Sequence, residues 1–371
     1  MLNRRLARVR AMQGLYALEI SKGANYLLAQ ELISEAFAPD LNSMEKQDRN
    51  RLAGMAKLTQ SVFEDEIKKR TVPSEDTLPR EIRTAVSKAR EYYRIKNKKD
   101  FDFHAAQTLI DAEKTYDIYL YILNLLVLLA DKSDSVLGKN KVLTTLKSAK
   151  ELDFYSLKRS VSFENESSLV NKLYNEAVKG NAHVTEYLAI VNKTQEDELA
   201  IVKYIVKNII LKHEVSVDFF EKLHIFWSED KDILRTMVFH TFDNYVDDQV
   251  VIIEKLDEQW EETRDFLRGL FRETALRDEE FLEYILPHLK NWDLERIIET
   301  DLILLKMAIA ELLLFSSIPV KVTINEIIEI SKNYSSEKSK IFINGILDAV
   351  CKDLQGKGLI RKTGRGMLDN R

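Results

Sequence analysis

Seven glycines in the first 355 residues are too few for a chain built from sheets and tight turns. Hairpins draw on residues with positive φ at most reversals, which glycine adopts without steric cost, whereas long helices need few such residues. The other four, Gly356, Gly358, Gly364 and Gly366, crowd into the last sixteen positions, and only five prolines punctuate 371 residues. An all-α fold is predicted. A hydrophobic fraction of 45 % supplies a large interior and excludes a disordered polymer. Cys351 is the single cysteine, so an internal disulfide or a multi-cysteine metal site is excluded.

Helical periodicity and stop signals divide the chain. Arg4–Ile20 has Leu6, Val9, Gln13, Tyr16 and Ile20 along one stripe, and a second helix is expected over about 44–69, ending before Pro73. Pro79 opens a basic helix, Arg80–Arg94, followed by a loop around Lys96–Asp100 and a long apolar helix over about 104–131. Shorter helices are expected at about 139–150 and 167–178, and Thr194 offers an N-cap for a helix reaching Lys212. Further segments fall at 216–226, 229–245 and 248–272. Asp278 is expected to cap Glu279–Lys290, and another helix covers about 300–315. Thr323-Ile-Asn-Glu326 reads as a capping box opening a helix to Lys332. The last helix, about 337–354, turns Ile341, Phe342, Ile346, Leu347 and Val350 inward, with Asn344-Gly345 among apolar neighbours. Beyond it the glycine-rich basic tail is expected to be mobile.

Charge is unevenly placed. Residues 1–22 carry +4 and residues 352–371 carry +4, which leaves −13 for the rest of a chain whose net charge is −5. A basic head and tail on an acidic body suit a polyanion bound through a patch. A further cluster, Arg80, Arg83, Lys88, Arg90, Arg94, Lys96, Lys98 and Lys99, stands against only Glu81 and Glu91, with Tyr92 and Tyr93 interleaved. Such runs are commonly solvated faces and also suit secondary RNA contact. The greasiest stretch, Ile118–Ala130, is 13 residues long and includes Asn124. That falls well short of the roughly 20 needed to span a bilayer, so it is predicted to be a buried core helix. With no apolar leader after Arg4 and Arg5, a cytoplasmic protein without membrane contact is expected.

No catalytic constellation emerges. Glu221 and His224 share a helix face, but a di-iron bundle needs a second such pair. Asp243, Asp247 and Asp248 read as a helix end, and no phosphate-cradling glycine loop occurs. Neither an enzyme nor a cofactor is expected.

Two segments resemble the NusB family. One is Arg4-Arg-Leu-Ala-Arg-Val-Arg-Ala-Met-Gln-Gly-Leu-Tyr16, similar to that family's arginine-rich first helix. The other runs from near Thr300 through Asp301-Leu-Ile-Leu-Leu-Lys-Met-Ala-Ile-Ala-Glu-Leu-Leu313, Ile318-Pro-Val-Lys-Val-Thr-Ile-Asn-Glu326 and Ile330-Ser-Lys-Asn-Tyr334 to Ser339-Lys-Ile-Phe-Ile-Asn-Gly-Ile-Leu-Asp348. Lys306 departs from the family's usual arginine, and Ile309-Ala310 from its usual aromatic. The organisation expected is an Arg-rich helix over 1–22, an expanded helical middle region over 23–263, a NusB-like bundle over 264–354 and a flexible basic tail over 355–371. The resemblance implies two packed helical bundles. It also implies binding of boxA-type single-stranded RNA with the ribosomal protein NusE, in transcription antitermination alongside other Nus factors on the RNA polymerase elongation complex during ribosomal RNA synthesis.

Under that resemblance Arg4, Arg5, Arg8 and Arg10 contact phosphates, Gln13 reads base edges and Tyr16 offers a ring for stacking. Arg80, Arg83, Arg90, Arg94, Lys96, Lys98, Lys99 and Lys321 are secondary candidates. The RNA reading requires the four leading arginines to be free of internal acidic pairs. Two alternatives stand beside it. One is a NusB-like RNA-binding domain related to ribosomal RNA cytosine methyltransferases, a form that needs a downstream cofactor domain not expected beyond Arg371. The other is a helical protein–protein adaptor without RNA binding.

Overall fold

The computed structural model describes residues 2–40, 42, 47–70, 77–132, 137–256, 258–289 and 296–367, and no strand occurs among them. Three long helices come first: α1 (Arg4–Ala36), α2 (Arg49–Ile67) and α3 (Arg80–Lys132). Short ones follow as α4 (Lys141–Lys147), α5 (Lys150–Lys158), α6 (Ser167–Leu173), α7 (Ala182–Ala189) and α8 (Gln195–Tyr204). Next come α9 (Glu214–Leu223), α10 (Trp227–His240), α11 (Tyr245–Asp248) and α12 (Glu258–Leu276). The chain closes with α13 (Asp278–Ile285), α14 (Glu299–Leu314), α15 (Val320–Tyr334) and α16 (Ser339–Gly356). The all-α expectation holds.

The chain divides into two compact units. One comprises Met1–Arg10 and Leu109–Leu267, the other Ala11–Thr108 and Arg268–Arg371. The expected middle region, 23–263, is therefore not one body, since its first part belongs to the second unit and the rest to the first.

In the first unit the apolar half of α3 is the core. Ile118, Leu120, Ile122, Leu123, Leu125, Leu126 and Leu129 are all buried, as a helix apolar on every side requires. No helix among the described residues is long and apolar enough to cross a membrane. Thr194 and Asp197 form a reciprocal capping box that starts α8. The helix expected over 248–272 begins only at Glu258. The stretch before it starts at Gln249 with a left-handed φ of 52° and continues through Val250, Val251, Ile252 and Ile253, whose branched side chains disfavour helix. Its backbone is satisfied from outside: Ile252 N donates to Thr241 O, Tyr116 Oη donates to Glu254 O, and Glu254 N donates to Tyr119 Oη.

In the second unit α1, α2 and α3 share a core of Ala29, Ile33, Phe37, Val62, Phe63, Ile82, Ala85, Val86 and Ala89. Tyr26 stacks on Phe63 at 5.7 Å and Tyr93 meets its edge at 6.1 Å. The loop expected at Lys96–Asp100 is instead part of the uninterrupted α3. That stretch holds no glycine or proline, and Asn25 Nδ2 on α1 donates to Asn97 Oδ1 and Asp100 Oδ2, so its polarity serves helix packing. Further along, α14 packs against α13, α15 and α16.

Four expectations for this second half are corrected. The capping box at Thr323 does not form, because α15 starts a turn earlier behind Pro319, and the Thr323 hydroxyl donates to buried Glu311 Oε1 at 2.7 Å. Asp278 makes no cap and takes the Lys306 ammonium instead. On α16, Ile341 is 71 % exposed while Ile343 is buried, and Asn344 and Gly345 face outward. Ile346, Leu347 and Val350 are buried as expected and Phe342 is half-buried, so the register holds and only Ile341 is misplaced, with Ile343 taking the inward position. The tail is docked rather than loose as far as it is described: Lys362 Nζ donates to Glu311 O and Phe315 O, and Thr363 N donates to Ser316 O. The expected helix start near 44, helix end at Lys290 and last residues 368–371 lie outside the described residues.

Candidate nucleic-acid interface

The four leading arginines part company within two turns of α1. Arg4 and Arg5 are exposed, whereas Arg8 and Arg10 are only 2 % and 1 % accessible. Cations near a helix N-terminus oppose the helix dipole and need a compensating partner. Phe266 provides one by its ring face: the guanidinium of Arg4 lies 5.6 Å and that of Arg8 5.2 Å from the ring centroid.

Arg10 is held internally. Its Nη2 donates to Asp230 Oδ2 at 2.5 Å and to Thr115 Oγ1 at 3.3 Å, and its guanidinium stacks 4.3 Å from the centre of Phe226. Asp230 also accepts from Thr115 Oγ1 and stands 3.2 Å from His224 Nε2. This closed group lies within the first unit, so the condition that all four arginines be free of acidic pairs fails at Arg10. It also places His224 in the interior while Glu221 is exposed, which separates the Glu-x-x-His pair.

Farther along α1, Gln13 is half-buried and Tyr16 is 43 % exposed. The buried stripe runs instead through Ala11, Leu15, Leu18, Asn25, Ala29 and Ile33. Between Gln13 and Leu15 the helix surface is tight: a Cβ at Gly14 would lie 2.2 Å from Thr108 Oγ1 and 3.1 Å from Phe271. Glycine is required at this close approach.

On α3, Arg80, Arg83, Lys88, Arg90, Arg94, Lys98 and Lys99 are exposed and Lys96 is half-buried. Arg94 grips Glu91 with Nε and Nη2, Arg90 lies 3.5 Å from Glu66, and Lys96 sits over the Tyr92 ring. Sequence reasoning did not see that Lys69 and Arg70, which follow α2, face this cluster across a cleft. Only the folded pairing of α2 with α3 brings them there. Lys321 is exposed in the first turn of α15.

Two carboxylates of the carboxy-terminal helices, Asp301 and Asp278, are committed to structure. Asp301 accepts from the hydroxyls of Ser335 and Ser339, at 2.5 and 2.6 Å. Lys306 stays buried against Asp278, which suits an ammonium in place of the family's planar guanidinium. Burial, with Glu19 adding to it, raises the Glu299 carboxyl above its ordinary value. Among the described residues no group of side chains has the composition to hold a metal ion.

A model described as the NusB family matches residues 229–352, from α10 into α16. That begins earlier than the bundle expected over 264–354 and does not include the first twenty residues. The chain is 48 % identical over 106 residues to the transcription antitermination protein NusB of Salinibacter ruber, covering 29 % of this chain and 66 % of that protein. It is 41 % identical over 106 residues to the protein of the same name from Chloroherpeton thalassium, covering 29 % of this chain and 50 % of the other. With that of Natranaerobius thermophilus it shares 44 % over 72 residues, 19 % of this chain and 52 % of the relative. The chain thus spans between half and two thirds of the length of these curated relatives. No solved structure matches it. Residues 229–352 are a NusB-family domain, carried in a chain larger than a typical NusB protein.

Proposed function

We propose that this protein is a transcription antitermination factor of the NusB type, binding boxA-type single-stranded RNA together with the ribosomal protein NusE at the RNA polymerase elongation complex. It acts by binding and not by catalysis. The observation that carries the reading is the 48 % identity over 106 residues to a protein named for antitermination. The RNA surface on α1 is narrower than four arginines. Arg4 and Arg5 present the charge and Tyr16 the ring, with Gln13 beside them, whereas Arg8 and Arg10 serve the interior. A phosphate near the first turn of α1 turns an unfavourable cation–dipole arrangement into charge-assisted hydrogen bonds.

The test is an anisotropy titration of labelled boxA RNA with and without NusE across a salt series. NusE is expected to tighten binding. Arg4→Ala/Arg5→Ala is expected to make the log–log salt slope shallower by about 1 to 2, at roughly 0.7 per phosphate contact on a single strand. The adaptor reading, favoured by the sealing of Arg10 against Asp230, predicts no RNA affinity even with NusE present. That result would overturn the proposal.

A further inference from the structure

A second cationic surface lies outside the family-matched stretch. The end of α2 and the start of α3 border a cleft of about 880 Å³, with Lys69 and Arg70 on one side and Arg80, Arg83, Lys88 and Arg90 on the other. Glu66 is the only carboxylate among its described lining residues. Lys69 pairs with Glu279, Arg70 lies 3.6 Å from Asp65, and Arg90 lies 3.5 Å from Glu66. Arg80, Arg83 and Lys88 make no ion pair with any described residue, and all three are exposed. At 100° per residue, Arg80, Arg83, Arg90, Arg94 and Lys98 fall on one side of α3. The stripe they form is roughly 27 Å long at 1.5 Å per residue. Glu91 lies within it and is already held by Arg94.

We propose that this cleft and stripe bind the sugar–phosphate backbone of single-stranded RNA without reading its bases. A charged row that runs on past Arg90, the last lining residue of the cleft on α3, to Lys98 fits a polymer with a charge on every unit, and guanidinium forks suit phosphate oxygens. The aromatic side chains nearby are not available as stacking platforms: Tyr92 lies under Lys96, and Tyr93 is edged against Phe63 in the core. Contacts limited to the backbone position a strand but carry no sequence information. The inference does not depend on what α1 binds.

The probe is a fluorescein-labelled 20-nucleotide oligouridylate, containing no boxA sequence, titrated with the full chain in the absence of NusE. Arg80→Gln/Arg83→Gln/Lys88→Gln is expected to weaken binding about tenfold at 0.1 M salt and to flatten the log–log salt slope by about 2. The charge-preserving variant Arg80→Lys/Arg83→Lys/Lys88→Arg should restore the slope, which separates charge from folding. The NusE-dependent gain on boxA RNA should survive the Gln variant, so the two proposals fail separately. An unchanged slope in the Gln variant overturns the inference. So does a 20-residue polyglutamate that binds more tightly than the oligouridylate and loses its binding in the same variant, because the surface then serves an acidic protein.

Discussion

Arg10 shows how one side chain can look like a ligand in sequence and act as a beam in the fold. Its charge is withdrawn from water together with that of Asp230, and Thr115, His224 and the Phe226 ring complete the enclosure. Removing one partner of a buried pair leaves an uncompensated charge, at a cost of about 3–5 kcal/mol, whereas replacing both with apolar residues of similar volume is often close to neutral. Asp230→Ala should therefore lower the melting temperature sharply, and Arg10→Met/Asp230→Leu should recover much of the loss, short of the bonds that Thr115 and His224 forfeit. The double variant should keep boxA affinity within about twofold of wild type where both are folded. A double variant as unstable as Asp230→Ala, or one that loses RNA binding while folded, would contradict this role. No local pattern could have revealed it, since the partner stands 220 residues away.

Elements were legible where their signals were local. The N-cap at Thr194, the apolar helix after Tyr116 and the helix over about 300–315 all follow from neighbours within a few positions. The misreadings came where a distant partner claimed a group that local rules had assigned. Asp278 left its cap for Lys306, and Thr323 left its box for Glu311. The basic tail read as loose because its anchor, the end of α14, is invisible from its own residues. That helix end presents carbonyls with a lone pair to spare: Lys362 Nζ adds to the bonds already made at Glu311 O and Phe315 O, and Thr363 N donates to Ser316 O. A Cβ at Gly366 would lie 2.1 Å from Ser316 O, so the chain must press close. Burial depresses the Lys362 ammonium below its usual value and pushes the Cys351 thiol up to about 11. Deleting residues 359–371 should therefore speed thiol labelling of Cys351 at neutral pH and lower the melting temperature. Lys362→Ala alone should cost about 1 kcal/mol, in the range of a cation near a helix C-terminus. Labelling rates equal to those of the full chain would show the arm to be dispensable.

At the scale of the whole molecule, the family-matched stretch does not coincide with a folding unit. Its residues 229–267 belong to one unit and its remainder to the other, and in each it leans on chain outside the match. In the first unit Asp230 needs Arg10 and Thr115, Thr241 meets Tyr119, and the Trp260 indole donates to Glu113. In the second, Phe271 packs 5.9 Å from Phe101 and against Gly14, Arg272 covers Phe101, and Glu279 pairs with Lys69. Chain that precedes the matched stretch is thus part of the scaffold against which that stretch packs. A fragment of residues 229–352 would expose the buried ring of Phe271 and strand the buried carboxylate of Asp230. It should show helical circular dichroism without a cooperative thermal transition, together with strong binding of a hydrophobic dye, as expected when secondary structure outlives packing. The full chain should melt cooperatively under the same conditions. A fragment that melts as sharply as the full chain, without binding the dye, would mean that the family domain stands alone and that the contacts with the rest of the chain add little to its stability.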